Sequence, residues 1–259
     1  MVNIDREHHE YLQRKRMWRC YRDLYAGGQQ LKDNASEYLT RRQKEPLDVY
    51  AERLNRAFYE NHIGSIIDWY AATLFRREPI LYFDGDSDNG RRFLTVFSDN
   101  CDLKSTSLAD LFRQCFIDTL VSGASHLLLD FPRLDQIPVN RAEEDAAGHS
   151  RAYLLRYSAE ELMNWSNDEN GDYEWIVLRR QQRRQPDVES TQLVDETYWY
   201  YFDKQRYRVY RREKEQDQGS IYLVAEGSHA LSNLNRVPLF TRRNLPCLLR
   251  FASCRRGFD

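Results

Sequence analysis

The spacing of apolar residues changes at Gly123, and this change constrains the fold more than any other feature of the chain. Before Gly123, apolar side chains recur about every 3.6 residues, which is typical of amphipathic helices. After it, stretches rich in Tyr, Trp and Val alternate with polar residues, which is typical of half-buried strands. This segregation predicts an α+β fold, with a helical N-terminal half packed on a mostly antiparallel β-sheet.

Three segments are expected within the 259 residues. Residues 1–123 form the helical part and residues 124–240 the β-rich part. Residues 241–259 form a basic tail with no pattern that buries one face, so we predict that it is disordered or read out of frame.

Local signals predict the main elements. Gly27-Gly28 ends the first helix, Ser107 caps the last one, and Asp203-Lys204 forms a tight hairpin. Helices are predicted at 7–25, from Pro46 to Leu74 with a break near Asn61, at 93–97 and at 107–121. Strands are predicted at 126–130, 152–157, 173–180, 194–202, 205–211 and 221–225.

Two further expectations concern a capping pattern and the core. The sequence Ser158-Ala-Glu-Glu161 fits a capping box and predicts a short helix that ends near Trp165. Ten large side chains are predicted to be mostly buried: Trp18, Leu54, Phe58, Ile67, Tyr70, Phe112, Phe116, Leu128, Leu155 and Trp165.

Composition narrows the class of protein. No apolar run approaches the ~18–20 residues that cross a bilayer, and the first residues lack the apolar segment of a secretory signal. We therefore expect a chain that is expressed in the cytoplasm and makes no membrane contact. Its five cysteines are widely spaced without a CxxC pair, so reduced thiols are expected. The net charge of -2 argues against a protein that coats DNA.

The motif search favours neither an enzyme nor a cofactor site. Asp84, Asp86 and Asp88 have the spacing of a calcium loop, but Asn89 and Thr95 stand where Gly and Glu are needed. His8 and His9 are adjacent, so on a helix they are not expected to face one site. Phosphate loops, nucleophile elbows and nuclease motifs are missing from the sequence. We expect no catalytic residue, no metal and no cofactor.

An arginine-rich stretch leaves two interpretations open. Residues 179–214 hold ten basic and six acidic residues among many aromatic ones. Such a surface can bind a nucleic-acid backbone, or it can be the charged outer face of a twisted hairpin. The interleaved acids favour the hairpin face. The candidate contact residues, for DNA or for another subunit, are Arg179, Arg180, Arg183, Arg184, Arg211 and Arg212.

Several short segments follow one another in a recognisable order between residues 15 and 240. They are Trp18-Arg-x-x-x-Asp23-x-x-x-Gly27, Glu37-Tyr38-Leu39, Tyr50-x-x-Arg53-Leu54-x-x-Ala57-x-x-x-Asn61, Leu74-Phe75-Arg76-Arg77-Glu78-Pro79, Thr106-Ser107-Leu108, Gly123-Ala124, Leu127 to Pro132, Arg151 to Trp165 and Arg236-Val-Pro238. Their order and spacing resemble the N-terminal, wing-type part of tailed-bacteriophage portal proteins.

The resemblance implies a structural role in a phage or prophage and a location at a capsid vertex of the virion. Portal subunits form a ring of about twelve copies, through which double-stranded DNA is packaged and ejected. The implied partners are further copies of the subunit, the capsid protein, the terminase motor, neck or tail proteins, and DNA. Portal proteins have no catalytic residue that the resemblance could assign to this chain. The resemblance also implies an α+β, portal-wing-like fold.

The C-terminus departs from the family pattern. Portal proteins continue into a stem, a clip and a crown, whereas this sequence ends at Asp259, where the stem would begin. We expect an incomplete copy, such as a gene truncated by a frameshift; the alternative is a short homologue with an ordinary basic tail. Because stem and crown contacts would be missing, the chain alone is expected to be monomeric or weakly associated.

Two other classes of function remain as alternatives. One is a standalone nucleic-acid-binding module that uses the surface of residues 179–214. The other is an enzyme, which would require a cleft where residues such as His126, Asp130 and Glu160 converge.

Overall fold

The computed structural model describes residues 3–80, 87–131, 151–185, 187–188, 193–213, 220–229 and 231–243. Within these ranges the helices are α1 (His9–Ala26), α2 (Gly28–Asp33), α3 (Ala35–Tyr38), α4 (Leu47–Arg56), α5 (His62–Leu74), α6 (Asp88–Asp99) and α7 (Leu108–Ser122). The strands are β1 (Ala124–Asp130), β2 (Tyr153–Ser158), β3 (Leu162–Asn167), β4 (Tyr173–Arg184), β5 (Val194–Asp203), β6 (Arg206–Glu213), β7 (Tyr222–Ser228) and β8 (Leu239–Arg243).

The junction at Gly123 forms as the sequence predicts. Ser107 caps α7, because its hydroxyl accepts a hydrogen bond of 3.1 Å from the backbone N–H of Asp110. Gly123 ends α7 with a φ of +76°, in the left-handed region that favours glycine. Strand β1 starts at the next residue, so the α+β class is confirmed.

The strands form two antiparallel sheets, whereas the sequence predicted one. The first sheet has the order β2-β1-β8, and the second is a meander in the order β3-β4-β5-β6-β7. In the first sheet, Leu128 of β1 lies opposite Leu155 of β2 and Leu239 of β8. A tight hairpin forms as predicted, but its two loop residues are Lys204 and Gln205, because β5 runs to Asp203 and β6 begins at Arg206. The Asp203 carboxylate accepts from the N–H groups of Gln205 and Arg206.

The three-stranded sheet lies between the helices and the meander. Leu127 and Leu154, on one face, pack with a small buried cluster that includes Leu111 and Cys115 of α7. Residues of the other face join the main core, whose members include Leu128, Tyr157, Ile176, Leu178, Trp199 and Phe202. The helical part is therefore attached to the β-rich part through α7 and through α1, whose Tyr11 and Trp18 lie in the main core.

The predicted helix between Ser158 and Trp165 is wrong. The capping contact itself forms, because Glu161 accepts a hydrogen bond of 2.7 Å from the Ser158 N–H. It closes a turn instead of starting a helix, and β3 begins at Leu162. Leu162 and Met163 are both buried, and β3 pairs with β4. Strand pairing and burial therefore override the local capping signal.

The predicted core is partly correct. Trp18, Leu128 and Trp165 are buried, as predicted. Phe58 is 87% exposed and Tyr70 is 53% exposed, so these two assignments are wrong. The remaining five are half-buried: Leu54, Ile67, Phe112, Phe116 and Leu155.

Some predictions fall wholly or partly outside the described residues. These include Asp84 and Asp86 of the acidic loop and residues 244–259 of the predicted tail. Strand β8 extends to Arg243, which places the start of that tail segment in the first sheet.

Candidate functional site

The six candidate arginines lie on β4 and β6, and each has a partner within the chain. Arg179 donates from one guanidinium nitrogen to Glu7 at 3.2 Å and from another to the Tyr11 hydroxyl at 2.7 Å. Tyr11 is buried in α1. Arg179 therefore ties strand β4 of the meander to the first helix.

Arg180 lies on the opposite face of β4 and contacts the three-stranded sheet. Its guanidinium is 4.4 Å from the ring centre of Tyr157, and its Nε donates to Glu161 at 3.2 Å. A cation over an aromatic face is stabilised by the ring quadrupole. The role that this geometry supports for Arg180 is to hold the two sheets together.

Arg184 and Arg211 surround the carboxylate of Glu196, whose side chain is 1% exposed. Arg211 donates to Glu196 at 2.7 Å, Arg184 lies at 3.7 Å, and the Tyr198 hydroxyl donates at 3.0 Å. Burial raises the pKa of Glu196, but the hydrogen bond from Tyr198 and the charge of Arg211 outweigh it and lower that pKa. Glu196 is thus held ionised by its neighbours.

Arg183 and Arg212 complete the set. Arg183 donates to Asp195 at 2.8 Å, and these two residues lie opposite each other in the register of β4 and β5. The Arg212 guanidinium lies 4.9 Å from the ring centre of Trp199. The register between the strands therefore places an acid or an aromatic ring beside these arginines. This arrangement agrees with the interpretation of the stretch as the charged outer face of a hairpin. Within the described part of residues 179–214, each of the six candidate arginines is thus paired with an acid, a hydroxyl or a ring of the same chain.

Two of the segments quoted for the portal resemblance, Trp18 to Gly27 and Glu37 to Leu39, meet at a buried carboxylate. Asp23 of α1 is 1% exposed and accepts from Gln30 at 2.8 Å, Asn34 at 2.9 Å and the Tyr38 hydroxyl at 2.5 Å. These partners lie in α2, in the α2–α3 junction and in α3. One side chain thus fixes three consecutive helices.

Asn61 joins α5 to the end of α1. Its amide donates to the Tyr25 carbonyl at 2.7 Å, and its side-chain oxygen accepts from the Gly64 N–H at 2.8 Å. A Cβ added at Gly27, whose φ is +58°, would lie 2.9 Å from the Asn61 amide nitrogen. Gly27 therefore provides both the turn and the space that Asn61 needs.

Arg53 and Glu45 anchor α4. Arg53 donates to both carboxylate oxygens of Glu45 at 2.8 Å and to the Thr40 carbonyl at 2.9 Å. The hydrogen bonds from Arg53, with one from the Arg42 backbone, lower the pKa of Glu45 to about 2. Tyr50 adds a hydrogen bond to the Leu39 carbonyl. The quoted residues thus have a structural role that the sequence alone did not reveal.

Helix α5 presents large apolar side chains to solvent. It packs against α1 and α7, and its buried positions are the small residues Gly64 and Ala71. Its exposed side chains are Ile63 at 44%, Ile66 at 54%, Trp69 at 61%, Tyr70 at 53% and Leu74 at 55%. These five side chains form an exposed face, which we call the α5 face, and it includes Tyr70, which the sequence assigned to the core.

The residues named for an enzymatic site each contact a different partner. His126 is buried and lies 2.9 Å from the Thr241 hydroxyl, Asp130 accepts from Tyr153, and Glu160 pairs with Arg22. Burial raises the pKa of Glu160 despite the charges of Arg22 and Arg19.

The expectation for His8 and His9 needs correction. His8 is the N-cap of α1 rather than a helical residue, and its ring centre lies 4.3 Å from that of His9. Donor atoms of His8, His9 and Glu10 lie within 4.8 Å of one another. The His8 Nδ1 accepts from the Glu10 N–H and its ring stacks on Trp165, which gives it a capping and packing role.

Comparison with known proteins assigns no function to these features. No protein-family model matches the chain, and none of the curated proteins matches its sequence. Among the described residues, no helix is both long and apolar enough to cross a membrane.

Proposed function

We propose that the chain is a portal-like structural subunit of a phage capsid vertex, through which DNA is packaged and ejected. Two features support this proposal: the order of the segments that resemble portal proteins, and the α5 face. The α5 face is the observation that carries it, because a subunit of a ring needs an apolar surface for its neighbour.

The energetics favour covering the α5 face. Burying one large apolar side chain contributes about 1.5–3 kcal/mol, and five such side chains lie on this one helix of 13 residues. Large exposed apolar groups that cluster in this way are typical of protein–protein interfaces. Phe58, just before α5, adds a further exposed ring at 87%.

A ring also restricts the kind of contact. In a ring each subunit uses two different patches, so the α5 face of one copy would meet a different surface of the next copy. The Asn61 contacts hold α5 to α1, and the Asp23 and Glu45 contacts fix the helices between them. Such a fixed arrangement is what a repeated contact requires. The proposal needs no catalytic residue.

Sedimentation equilibrium over a range of protein concentrations tests the proposal. We expect weak, concentration-dependent association of the chain, and we expect Ile66→Ser with Trp69→Ser to remove it. Leu234→Ser is the matched control, because Leu234 is 70% exposed but lies far along the chain from α5. A chain that stays monomeric at every concentration, or a double variant that associates like the parent, would count against the proposal.

A further inference from the structure

A groove with a positive rim runs beside α1 and is separate from the α5 face. It has a volume of about 670 Å³ and lies between α1, Glu37 near the end of α3, the β2–β3 turn and β4. Five cations and three carboxylates line it, which leaves a local charge of +2: Lys15, Arg16, Arg19, Arg22 and Arg179 against Glu7, Glu37 and Glu160.

The cations that line the groove are more exposed than two of its carboxylates, and this difference favours binding of an external anion. The side chains of Lys15, Arg19 and Arg22 are 44%, 56% and 48% exposed. Two of the carboxylates, Glu7 and Glu160, are only 17% and 20% exposed. Each of these three cations pairs with one carboxylate, Lys15 with Glu7, Arg19 with Glu37 at 3.4 Å and Arg22 with Glu160 at 2.9 Å. The five cations still exceed the three carboxylates by two charges.

The cations on α1 have a regular spacing. Lys15, Arg19 and Arg22 follow one another at i, i+4 and i+7, so they recur on one side of the helix. Seven residues of α-helix span about 10 Å, which is the length of about three phosphate-to-phosphate steps of a DNA strand at about 3.4 Å each along the axis. Arg16 adds a fourth cation at the rim, and no ion pair joins it to any described residue.

The residues that line the groove favour a nucleic acid over a protein as its partner. Apart from Tyr11 and Gln181, every residue that lines the groove is charged, and Tyr11 is buried. Protein partners need an apolar centre in the interface, whereas nucleic-acid interfaces are more polar and more positive. Guanidinium groups also suit phosphate, because their planar fork can donate two hydrogen bonds to it.

We propose that this groove binds the phosphate backbone of nucleic acid, without sequence preference. The lining offers no exposed ring on which a base could stack, so we expect duplex and single strand to bind through backbone phosphates alone. The proposal does not depend on ring assembly, since every residue it uses lies within one copy of the chain.

Fluorescence anisotropy with a labelled DNA duplex of about 20 base pairs tests this proposal at several salt concentrations. For three phosphate contacts, the affinity is expected to fall about 40-fold between about 50 mM and 200 mM salt. In Lys15→Gln with Arg19→Gln one of these three contacts remains, so the same change in salt should lower affinity only about threefold. Affinity at low salt should also fall by at least tenfold.

Two further double variants serve as controls with the same change in charge. Arg56→Gln with Arg113→Gln removes two exposed, ion-paired cations of α4 and α7 and should bind like the parent. Arg183→Gln with Arg184→Gln tests the surface of residues 179–214.

The proposal is overturned if the α1 variant keeps the parent's affinity and salt dependence, or if only the β4 variant loses binding. Displacement of the duplex by polyglutamate at equal charge would instead assign the groove to an acidic protein. Circular dichroism verifies that each variant is folded.

Discussion

The hydroxyl of Tyr38 donates a hydrogen bond of 2.5 Å to the carboxylate of Asp23, and this contact holds α3 against α1. Asp23 is almost completely buried, so its carboxylate oxygens need the hydrogen-bond donors that surround them. The Asp23 contact also raises the pKa of Tyr38, though burial of the hydroxyl is the largest cause.

Tyr38→Phe removes this donor and leaves the packing of the ring in place. We expect it to lower the free energy of unfolding by about 1–3 kcal/mol, because a buried charged group loses one of its partners. Urea denaturation measures the change, with Tyr21→Phe as the control, since Tyr21 lies on the same helix as Asp23 with its ring 42% exposed. Equal losses in the two variants would show that Asp23 does not need Tyr38.

Gly64→Ala separates helix propensity from packing. Alanine in place of glycine inside a helix favours folding by about 1 kcal/mol. At Gly64, however, the new Cβ would lie 2.7 Å from the Asn61 amide and 3.0 Å from the Tyr25 carbonyl. We therefore expect a net loss of about 1–3 kcal/mol. Ser65→Ala, at the exposed neighbouring position, is the control, and a stabilised Gly64→Ala would refute the close packing of α1 and α5.

Acid should weaken the α4 anchor. The pKa of Glu45 is lowered from 4.5 to about 2 by the hydrogen bonds from Arg53 and the Arg42 backbone. A carboxyl group with a lowered pKa in the folded state stabilises the fold above its unfolded pKa. That contribution is lost as the pH falls from about 4.5 towards 2. Thermal melts across this range should show a smaller acid-dependent decrease in Glu45→Gln than in the parent. Parallel curves for the two would contradict the assignment.

Leu128 and Phe58 are both apolar residues that the sequence assigned to the core, but truncation should destabilise the fold strongly at Leu128 and hardly at all at Phe58. Leu128 is 1% exposed in the main core, so Leu128→Ala is expected to cost about 2–5 kcal/mol. Phe58 is 87% exposed, so Phe58→Ala should change the free energy of unfolding by less than about 0.5 kcal/mol. Chemical denaturation of both variants checks this, and similar losses would place Phe58 in the core after all.

The parts of the fold that the sequence predicted are those fixed by neighbouring residues. Ser107 and Gly123 delimit α7 through contacts within one turn, and the Asp203 hairpin closes over a few residues. The division into two sheets depends on contacts that are distant in sequence. Leu127 pairs with Phe240 across more than a hundred positions, and no local pattern encodes that pairing.

The candidate sites were harder to predict for two physical reasons. The role of the arginines depends on strand register, because only the pairing of Arg183 with Asp195 reveals that the charge is neutralised. The α5 helix carries apolar residues on more than one side, so periodicity could not decide which side faces the core. The small residues Gly64 and Ala71 were the available signal, since small side chains allow close helix packing.

The most direct test of the proposed ring contact is photo-crosslinking from position 69. Trp69 is replaced by a photoreactive phenylalanine derivative, the concentrated chain is irradiated, and mass spectrometry identifies the linked peptides. In a ring contact the α5 face meets a different patch of the next copy, so we expect links from position 69 to residues outside α5 and products larger than dimers. Links from α5 to α5 in dimers alone, or no links between copies, would contradict the assignment of this chain as a portal-like ring subunit.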